Sequence, residues 1–511
     1  MTMLVALPVL LPLLAAGLSI VAGRSQVVQR VLGVSVLAAV ATVAAVLLVL
    51  ADGDGPLVLQ VGGHAPPFGI VLVADRLAAL LLLVSTVVML AVLIFAIGQG
   101  ITEGRPQIRS LPFHPMYLVL CSGVALAYLT GDLFNLFVAF EMMLTASYVL
   151  ITQRTNAKRV QAGMTYVIVS LTSSMLFVTL IALVYAATGT VNLADLSVKM
   201  QELPSGVRTS LGLLAVVVFG IKSALVPLHF WLPDSYPTAP APITAVFAGL
   251  LTKVGVYALV RTQTLVFDSA SSWTPLLALA LLTMLVGALG AIAQNDINRL
   301  LSFLLVSHIG YMLFGLALFT VAGLTGLILY VVHHIIVQTT LFLISGVVTR
   351  RTGTVSIRDM SGVATAYPLV AALFAVPALS LAGIPPFSGF VAKVTLLQAG
   401  AQVATPMAYV VTACAVLTSL LTLYAMGKVW VGAFWGRTRE PFPDPDPSDQ
   451  VTVGTAATSW PMLLSAGGLV AAGVAIAVLA GPLSGVGERA AVDLLDGGPY
   501  RVAVLGAGGV R

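Results

Sequence analysis

Long uncharged apolar runs, interrupted by short polar or Gly/Pro-containing segments, recur from one end of the chain to the other. A hydrocarbon core about 30 Å thick takes roughly 20 apolar residues in a helix. Runs of that order are predicted at 2–22, 30–50, 70–98, 115–130, 133–153, 160–187, 209–228, 239–260, 274–294, 298–319, 322–348, 365–399, 403–434 and 458–481. They are continuous, whereas the strands of a membrane barrel alternate over about ten residues, so helices are expected. The fold class that follows is all-α, a polytopic membrane protein of about fourteen helices. Met1 to Ile20 lacks the basic stretch that precedes the apolar part of a signal peptide, and a second run follows at once, so it is expected to be a retained first helix.

Composition sharpens this picture. Of 511 residues, 59% are hydrophobic and 8% charged, against about a quarter charged in soluble domains. A water-soluble catalytic domain is excluded for nearly the whole length, and the chain is not expected to be an enzyme. The net charge of +5 comes without a dense basic run or interleaved aromatic residues, so nucleic acid is not an expected partner. Loop bias explains it better. When loops are assigned alternately to the two sides, one side collects Arg24, Arg30, Arg105, Arg109, Arg154, Lys158, Arg159, Arg299, Arg350, Arg351, Arg358, Arg437 and Arg439. The other collects Lys199, Arg208, Arg261, Arg489, Arg501 and Arg511. The richer side is expected in the cytoplasm, with both termini outside.

Cys121 and Cys414 lie in apolar runs without metal or CxxC spacing, and no P-loop, haem or flavin signature occurs, so no metal or cofactor is expected. VAVLGAGG near the end resembles the opening of a dinucleotide-binding unit, but no helix and acidic residue follow as that unit requires; an unstructured tail is expected. PFPDPDPSD (441–449) reads as a cytoplasmic loop.

Five basic residues remain inside or at the ends of apolar runs: Arg76, Lys222, Lys253, Lys393 and Lys428. A charge at bilayer depth costs at least about 2.5–3.5 kcal/mol on insertion scales. Arg76 and Lys428 stand near run ends, where anchoring and snorkelling are expected. Lys222, Lys253 and Lys393 have no such escape. Glu141 is the acidic residue well inside a run, and a lysine on another helix is its natural partner. Such a pair can serve packing alone, but that leaves two deep lysines unexplained.

Lys222 precedes Pro227 in GIKSALVPLHFWLPD, and Lys393 follows Pro385 and Pro386 in GIPPFSGFVAK. Interior proline removes a backbone hydrogen bond, so the seventh and twelfth runs are expected to break near their lysines and to line hydrated cavities. A register that superimposes Lys222 on Lys393 hints at two related halves. The expected organisation is N-terminal helices over 1–114, a first half over 115–262, a second half over 273–437, a cytoplasmic loop over 438–457, a last helix over 458–481 and a tail over 482–511. His308, His333, His334 and His229 are candidate proton carriers, because imidazole titrates near neutrality. His333 and His334 diverge by about 100° on a helix, so only one of them is expected to face the pathway.

The segments GDLFNLFVAFEMMLTASYVL, GIKSALVPLHFWLPDSYPTAPAPITA and GIPPFSGFVAK together resemble the antiporter-like membrane subunits shared by Mrp-type cation/proton antiporters, respiratory complex I and membrane-bound hydrogenases. FNLFVAFEMMLTASYVL is most similar to the D-subunit branch of the Mrp (Mnh) family. The resemblance implies that Glu141 pairs with Lys222, that Lys253 is a central proton carrier, that His333 or His334 links the halves, and that Lys393 sits at the exit. It also implies a bacterial cell-membrane assembly with Mrp A, B, C, E, F and G type partners, exchanging H⁺ for Na⁺ or K⁺. The alternative is a proton-pumping subunit of a redox complex. The family suggests no role for the Pro/Gly-rich tail.

Overall fold

The computed structural model describes residues 2–23, 25–102, 113–152, 157–267, 273–436 and 459–506. Arg24, Arg105, Arg109, Arg154, Arg437, Arg439, Arg511 and the loop 438–457 lie outside the described residues, as do the side chains of Lys158 and Arg159.

The chain opens with α1 (Leu7–Val21) and α2 (Gln26–Asp54), followed by a small antiparallel hairpin of β1 (Leu57–Gln60) and β2 (Val71–Ala74), and α3 (Arg76–Gln99). The first half comprises α4 (Phe113–Leu129), α5 (Leu133–Thr152), α6 (Ala157–Thr188), the short α7 (Leu193–Glu202), α8 (Ser205–Ser223), α9 (Trp231–Ser235), α10 (Ala241–Val246) and α11 (Thr252–Thr262). The second comprises α12 (Trp273–Ala293), α13 (Ile297–Ala317), α14 (Val321–Thr352), α15 (Val363–Ala366), α16 (Pro368–Ala382), α17 (Ser388–Val403) and α18 (Pro406–Val429). Three helices close the chain: α19 (Trp460–Val478), α20 (Ala480–Asp496) and α21 (Gly498–Leu505). Among the described residues, eleven helices are long and apolar enough to cross a membrane, and Leu7–Val21, Phe113–Leu129 and Pro368–Ala382 are shorter apolar ones.

Helix starts carry side-chain caps that satisfy otherwise orphaned N–H groups: Ser25 for α2, Asp75 for α3, Asp296 for α13, Thr320 for α14 and Thr405 for α18. The long α14 forms the middle of the molecule, packing against α13, α16, α17, α19, α20, α3 and α10.

A repeated backbone pattern links the two halves. The Leu133 N–H donates to Val191 (2.9 Å) and that of Leu193 to Gly131 (2.9 Å). In the second half Ile297 donates to Val355 (3.0 Å) and Ile357 to Asn295 (2.8 Å), so that Leu133 matches Ile297 and Leu193 matches Ile357 in a single register. Gly189 and Gly353 match in that register too, and both take φ of 70° as their helices end. The expected breaks are present. α8 stops at a left-handed Ala224 (φ 60°) and α16 at a left-handed Gly383 (φ 87°). Leu225 donates to the Gly220 carbonyl and Ile384 to that of Leu379, so the breaks correspond, Ala224 to Gly383 and Leu225 to Ile384. The expected correspondence of the two lysines is therefore corrected: Lys222 precedes its break, Lys393 follows its own, and the residue standing where Lys222 stands is Leu381.

Three further expectations change. The C-terminal segment is not an unstructured tail up to Gly506: α20 packs on α14 and α3, and α21 on α7 and β1, because their apolar residues Ala490, Ala491, Leu494, Tyr500 and Val504 are buried. Arg76 is not a free interfacial anchor; it binds Asp52 (2.9 Å) and Asp493 (2.5 Å), joining α2, α3 and α20. Arg261 is not a loop charge. It is buried, pairs with Asp75 at 2.6 Å, and lies 5.3 Å and 5.2 Å from the ring centres of Tyr257 and Tyr500.

Candidate functional site

Lys222 occupies the last turn of α8 and is buried. Gly255 lets the following span approach this turn: a Cβ there would stand 2.6 Å from Ser223 Oγ and 2.9 Å from Ser223 N. Glu141 lies on α5, and the two charged groups meet through a third residue. Ser174 Oγ on α6 donates to Glu141 Oε1, and Lys222 Nζ donates to Ser174 Oγ at 3.2 Å. The Phe140 ring lies 5.4 Å from the same ammonium. The two residues expected to pair thus stand either side of a bridging hydroxyl. Trp231 Nε1 donates to the Ile221 carbonyl (3.2 Å), tying α9 back onto the end of α8. A cavity of about 30 Å³ opens beside Lys222, lined also by Tyr166, Ser170, Trp231 and Tyr236.

Lys253 is fully buried one turn beyond Gly249, in a span interrupted by π turns at Phe247–Leu251 and Gln263–Phe267. Such turns disturb the i→i−4 ladder and recur at functional sites. The Lys253 ammonium takes the Ala248 carbonyl (2.6 Å) and Thr252 Oγ1 (3.3 Å). His308 and His334 lie within electrostatic reach of both Lys253 and Lys393.

The histidines form a buried cluster with two tyrosines. The His308 and His334 ring centres are 5.1 Å apart, His308 Nδ1 meets the Tyr330 hydroxyl, and the Tyr330 and Tyr311 rings stack at 5.2 Å. His333 turns the other way, with Nδ1 2.9 Å from Ser388 Oγ, and Ser388 Oγ is 3.2 Å from Ser380 Oγ. The two adjacent histidines diverge as their spacing requires, and both directions are interior: His333 toward Ser388, His334 toward His308. Among the described residues, His334 has no hydrogen-bond partner at either nitrogen, and His308 and His333 have none at Nε2. Buried polar groups are normally paired, so these nitrogens suit exchange with water or with one another. His229 lies in the break after α8, half-buried beside Phe303.

Lys393, on α17, folds back across its break. Its ammonium donates to the carbonyls of Leu381 (3.0 Å) and Ala382 (3.1 Å) at the end of α16, and stands 5.0 Å from the centre of the Tyr311 ring. A helix C-terminus carries partial negative charge, which suits a cation there. Close contact of the two half-helices depends on Gly389, where a Cβ would fall 1.8 Å from the Ser380 carbonyl oxygen. Lys428 donates to the carbonyls of Ile292 (2.9 Å) and Gln294 (2.6 Å), a capping role that accounts for its place at a span end.

Sequence reasoning did not single out Ser174, Tyr311, Tyr330, Ser388 or the Asp75–Arg261 pair. The polar run SLTSS (170–174) inside an apolar span and the tyrosines at positions 311 and 330 beside the histidines were the available signals.

Buried ammoniums at two broken helices, a third between them and an imidazole cluster shared by α13 and α14 define a polytopic membrane protein of the ion-translocating class. The chain belongs to the NADH:quinone oxidoreductase/Mrp antiporter transmembrane family, whose model matches residues 130–422. Within it, the chain is 42% identical over 442 residues to the D subunit of the Na⁺/H⁺ antiporter of Alkalihalophilus pseudofirmus, covering 86% of this chain and 88% of that one. It is 36% identical over 453 residues to the D subunit of the Na⁺/H⁺ antiporter of Bacillus subtilis, covering 88% and 90%. Among solved structures, a chain of the Mrp complex from Dietzia sp. DQ12-45-1b superposes with a TM-score of 0.89 at 34% identity, over 99% of this chain and 100% of that one. A chain of respiratory complex I from Thermus thermophilus shares the fold, with a TM-score of 0.79 at 24% identity over 96% and 99%. The protein is a multi-pass membrane protein of this family, similar to antiporter D subunits.

Proposed function

We propose that this subunit translocates protons through Glu141, Lys222, Lys253, the His308/His333/His334 cluster and Lys393, in exchange for Na⁺ or K⁺ carried by the assembly. The observation that carries the reading is the succession of buried protonatable groups from one broken helix to the other, two of its lysines held at half-helix ends. Desolvation favours the neutral amine and a neighbouring carboxylate favours the ammonium. Shifting the influence of Glu141 on and off Lys222 therefore switches that lysine between holding and releasing a proton. Protons then pass by short hops between lysines and imidazoles. The partners are Mrp A, B, C, E, F and G type subunits, and the location is the bacterial cell membrane, with the arginine-rich loops in the cytoplasm and both termini outside. The halves 115–262 and 273–437 act as related units; the backbone hydrogen bonds repeated between them support this. Proton pumping in a redox complex uses the same kind of path, but 42% identity to an antiporter subunit against 24% to a complex I chain favours antiport.

Vesicles carrying the whole operon test the reading through Na⁺-, K⁺- and Li⁺-dependent proton exchange. Glu141→Gln and Lys222→Ala are expected to lower exchange by about a hundredfold or more, the scale of a lost acid–base group. Full exchange in both variants at equal expression sinks the pathway.

A further inference from the structure

Tyr166, Ser170 and Ser174 stand at four-residue spacing on α6, so their hydroxyls share one face of the helix. All three are buried. Hydroxyls inside helices commonly bond back to the carbonyl four residues earlier, as Thr172 does to Ile168 and Thr179 to Met175 on this same helix (2.9 Å each). Ser174 does otherwise. It joins two other helices, accepting from Lys222 and donating to Glu141. Ser170 and Tyr166, the next two hydroxyls along the face, line the cavity that Lys222 shares with Trp231 and Tyr236. The cavity's 30 Å³ has space for about two waters. The Tyr236 hydroxyl is an independent sign of what it holds: the residue is fully buried, and its oxygen has no hydrogen-bond partner among the described residues. On the far side, α9 leads to the exposed Asp234, paired with Arg299 at 2.8 Å.

We propose that Ser174 is the relay hydroxyl through which a proton moves between Lys222 and Glu141, and that Ser170 and Tyr166 form the wall along which water supplies that relay from the break after α8. The inference rests on the proton-pathway reading above. In the transfer, an Nζ–H bond of Lys222 breaks as a new Oγ–H bond forms on Ser174, while the hydroxyl's original proton passes to Glu141 Oε1. Ammonium and carboxylate become amine and carboxylic acid, and the serine is regenerated with its proton exchanged. The reverse transfer reloads the lysine. A bridging hydroxyl allows this because it donates and accepts at once, whereas a purely structural serine needs only one of the two bonds.

The test uses the complete antiporter assembly in vesicles, with the amount of assembled complex measured for each variant. Ser174→Thr keeps the hydroxyl and is expected to exchange at the parent rate. Ser174→Ala and Ser174→Val are expected to lose about tenfold in maximal rate per complex, the scale of one lost hydrogen-bonded relay. Their half-saturating Na⁺ or K⁺ concentration stays at the parent value and their pH profile is displaced. Ser173→Ala, whose hydroxyl turns to the Val218 carbonyl, is expected to behave like the parent. A parental rate and pH profile per complex in Ser174→Val overturns the relay, whether or not less complex assembles. Glu141→Gln and Lys222→Ala run alongside separate the two levels: if both remain active, the pathway itself fails, and if both are inactive while Ser174→Val is parental, only the relay fails. Should neither Ser174→Ala nor Ser174→Val assemble, Ser170→Ala decides, with about a threefold slower rate expected and a parental rate overturning the proposed supply wall.

Discussion

The two broken helices solve the same problem with different chemistry. In the first half, Lys222 sits before its break and reaches a carboxylate through Ser174. In the second, Lys393 sits after its break and reaches back to the carbonyls of Leu381 and Ala382 and the face of Tyr311. In the register that matches Leu133 to Ile297, Glu141 and Ser174 correspond to Leu305 and Gln338, neither of which offers a carboxylate. One ammonium is thus held by a charge that can be neutralised, the other by backbone dipoles that cannot. Within the proposed pathway the first half supplies the switch, and the second a site of fixed affinity that receives what the switch sends.

The span ends repeat the contrast. Arg261 lies two residues before the π turn Gln263–Phe267, and Lys428 two residues before the π turn Trp430–Phe434. Arg261 is locked in a buried ion pair with Asp75, whereas Lys428 bonds to the carbonyls of Ile292 and Gln294. The largest effect on stability is therefore expected from Arg261→Ala, about 3–5 kcal/mol, because Asp75 is left buried without its partner. Thermal unfolding of the purified assembly measures it; Asp75→Asn/Arg261→Gln, which leaves no lone charge, is expected to cost less. Equal losses in the single and double variants count against the ion-pair account.

The aromatic faces give a smaller, functional contrast. An ammonium over a ring gains about 0.5–1 kcal/mol when exposed and about 2 when desolvated. Tyr311→Leu removes the aromatic face that meets the Lys393 ammonium, so about a fivefold slower exchange is expected from a loss near 1 kcal/mol. Phe140→Leu is expected to cost less than half as much in free energy, because Lys222 retains Ser174 and Glu141. A larger loss for Phe140→Leu would reverse the assignment of fixed and switchable sites.

The helices and both breaks were legible because lipid imposes long apolar runs and proline interrupts them at named positions. Glu141, Lys222, Lys253 and Lys393 were legible because charge is so rare inside those runs. What joins them was not. Ser174 is one hydroxyl among several on α6, and only the angle between α5, α6 and α8 selects it over Ser173. Matching Lys222 to Lys393 misled, since an ammonium on a long stem can reach the same turn from either side of a break; backbone caps carry the repeat better than side chains. Arg261 looked like a loop charge because its span continues through a π turn to Phe267, and its partner Asp75 lies far away in sequence. The last helices were hidden by glycine and proline, whose usual meaning is a loop.

Lys428 gives the smallest expected effect and the sharpest control. Like the functional lysines it lies in an apolar span and bonds to carbonyls, but those carbonyls, Ile292 and Gln294, belong to the end of α12 at the rim of the span, and its side chain is only half-buried. A cation capping a helix end in that setting contributes about 0.3–1 kcal/mol. Lys428→Met should therefore lower the unfolding temperature of the assembly slightly and leave exchange within about twofold of the parent, a change of less than about 0.5 kcal/mol in barrier. Lys393→Met, with the same number of carbonyl bonds deep in the interior, is expected to stop exchange. If the two substitutions act alike, carbonyl capping and not position in the proton path is what these lysines share.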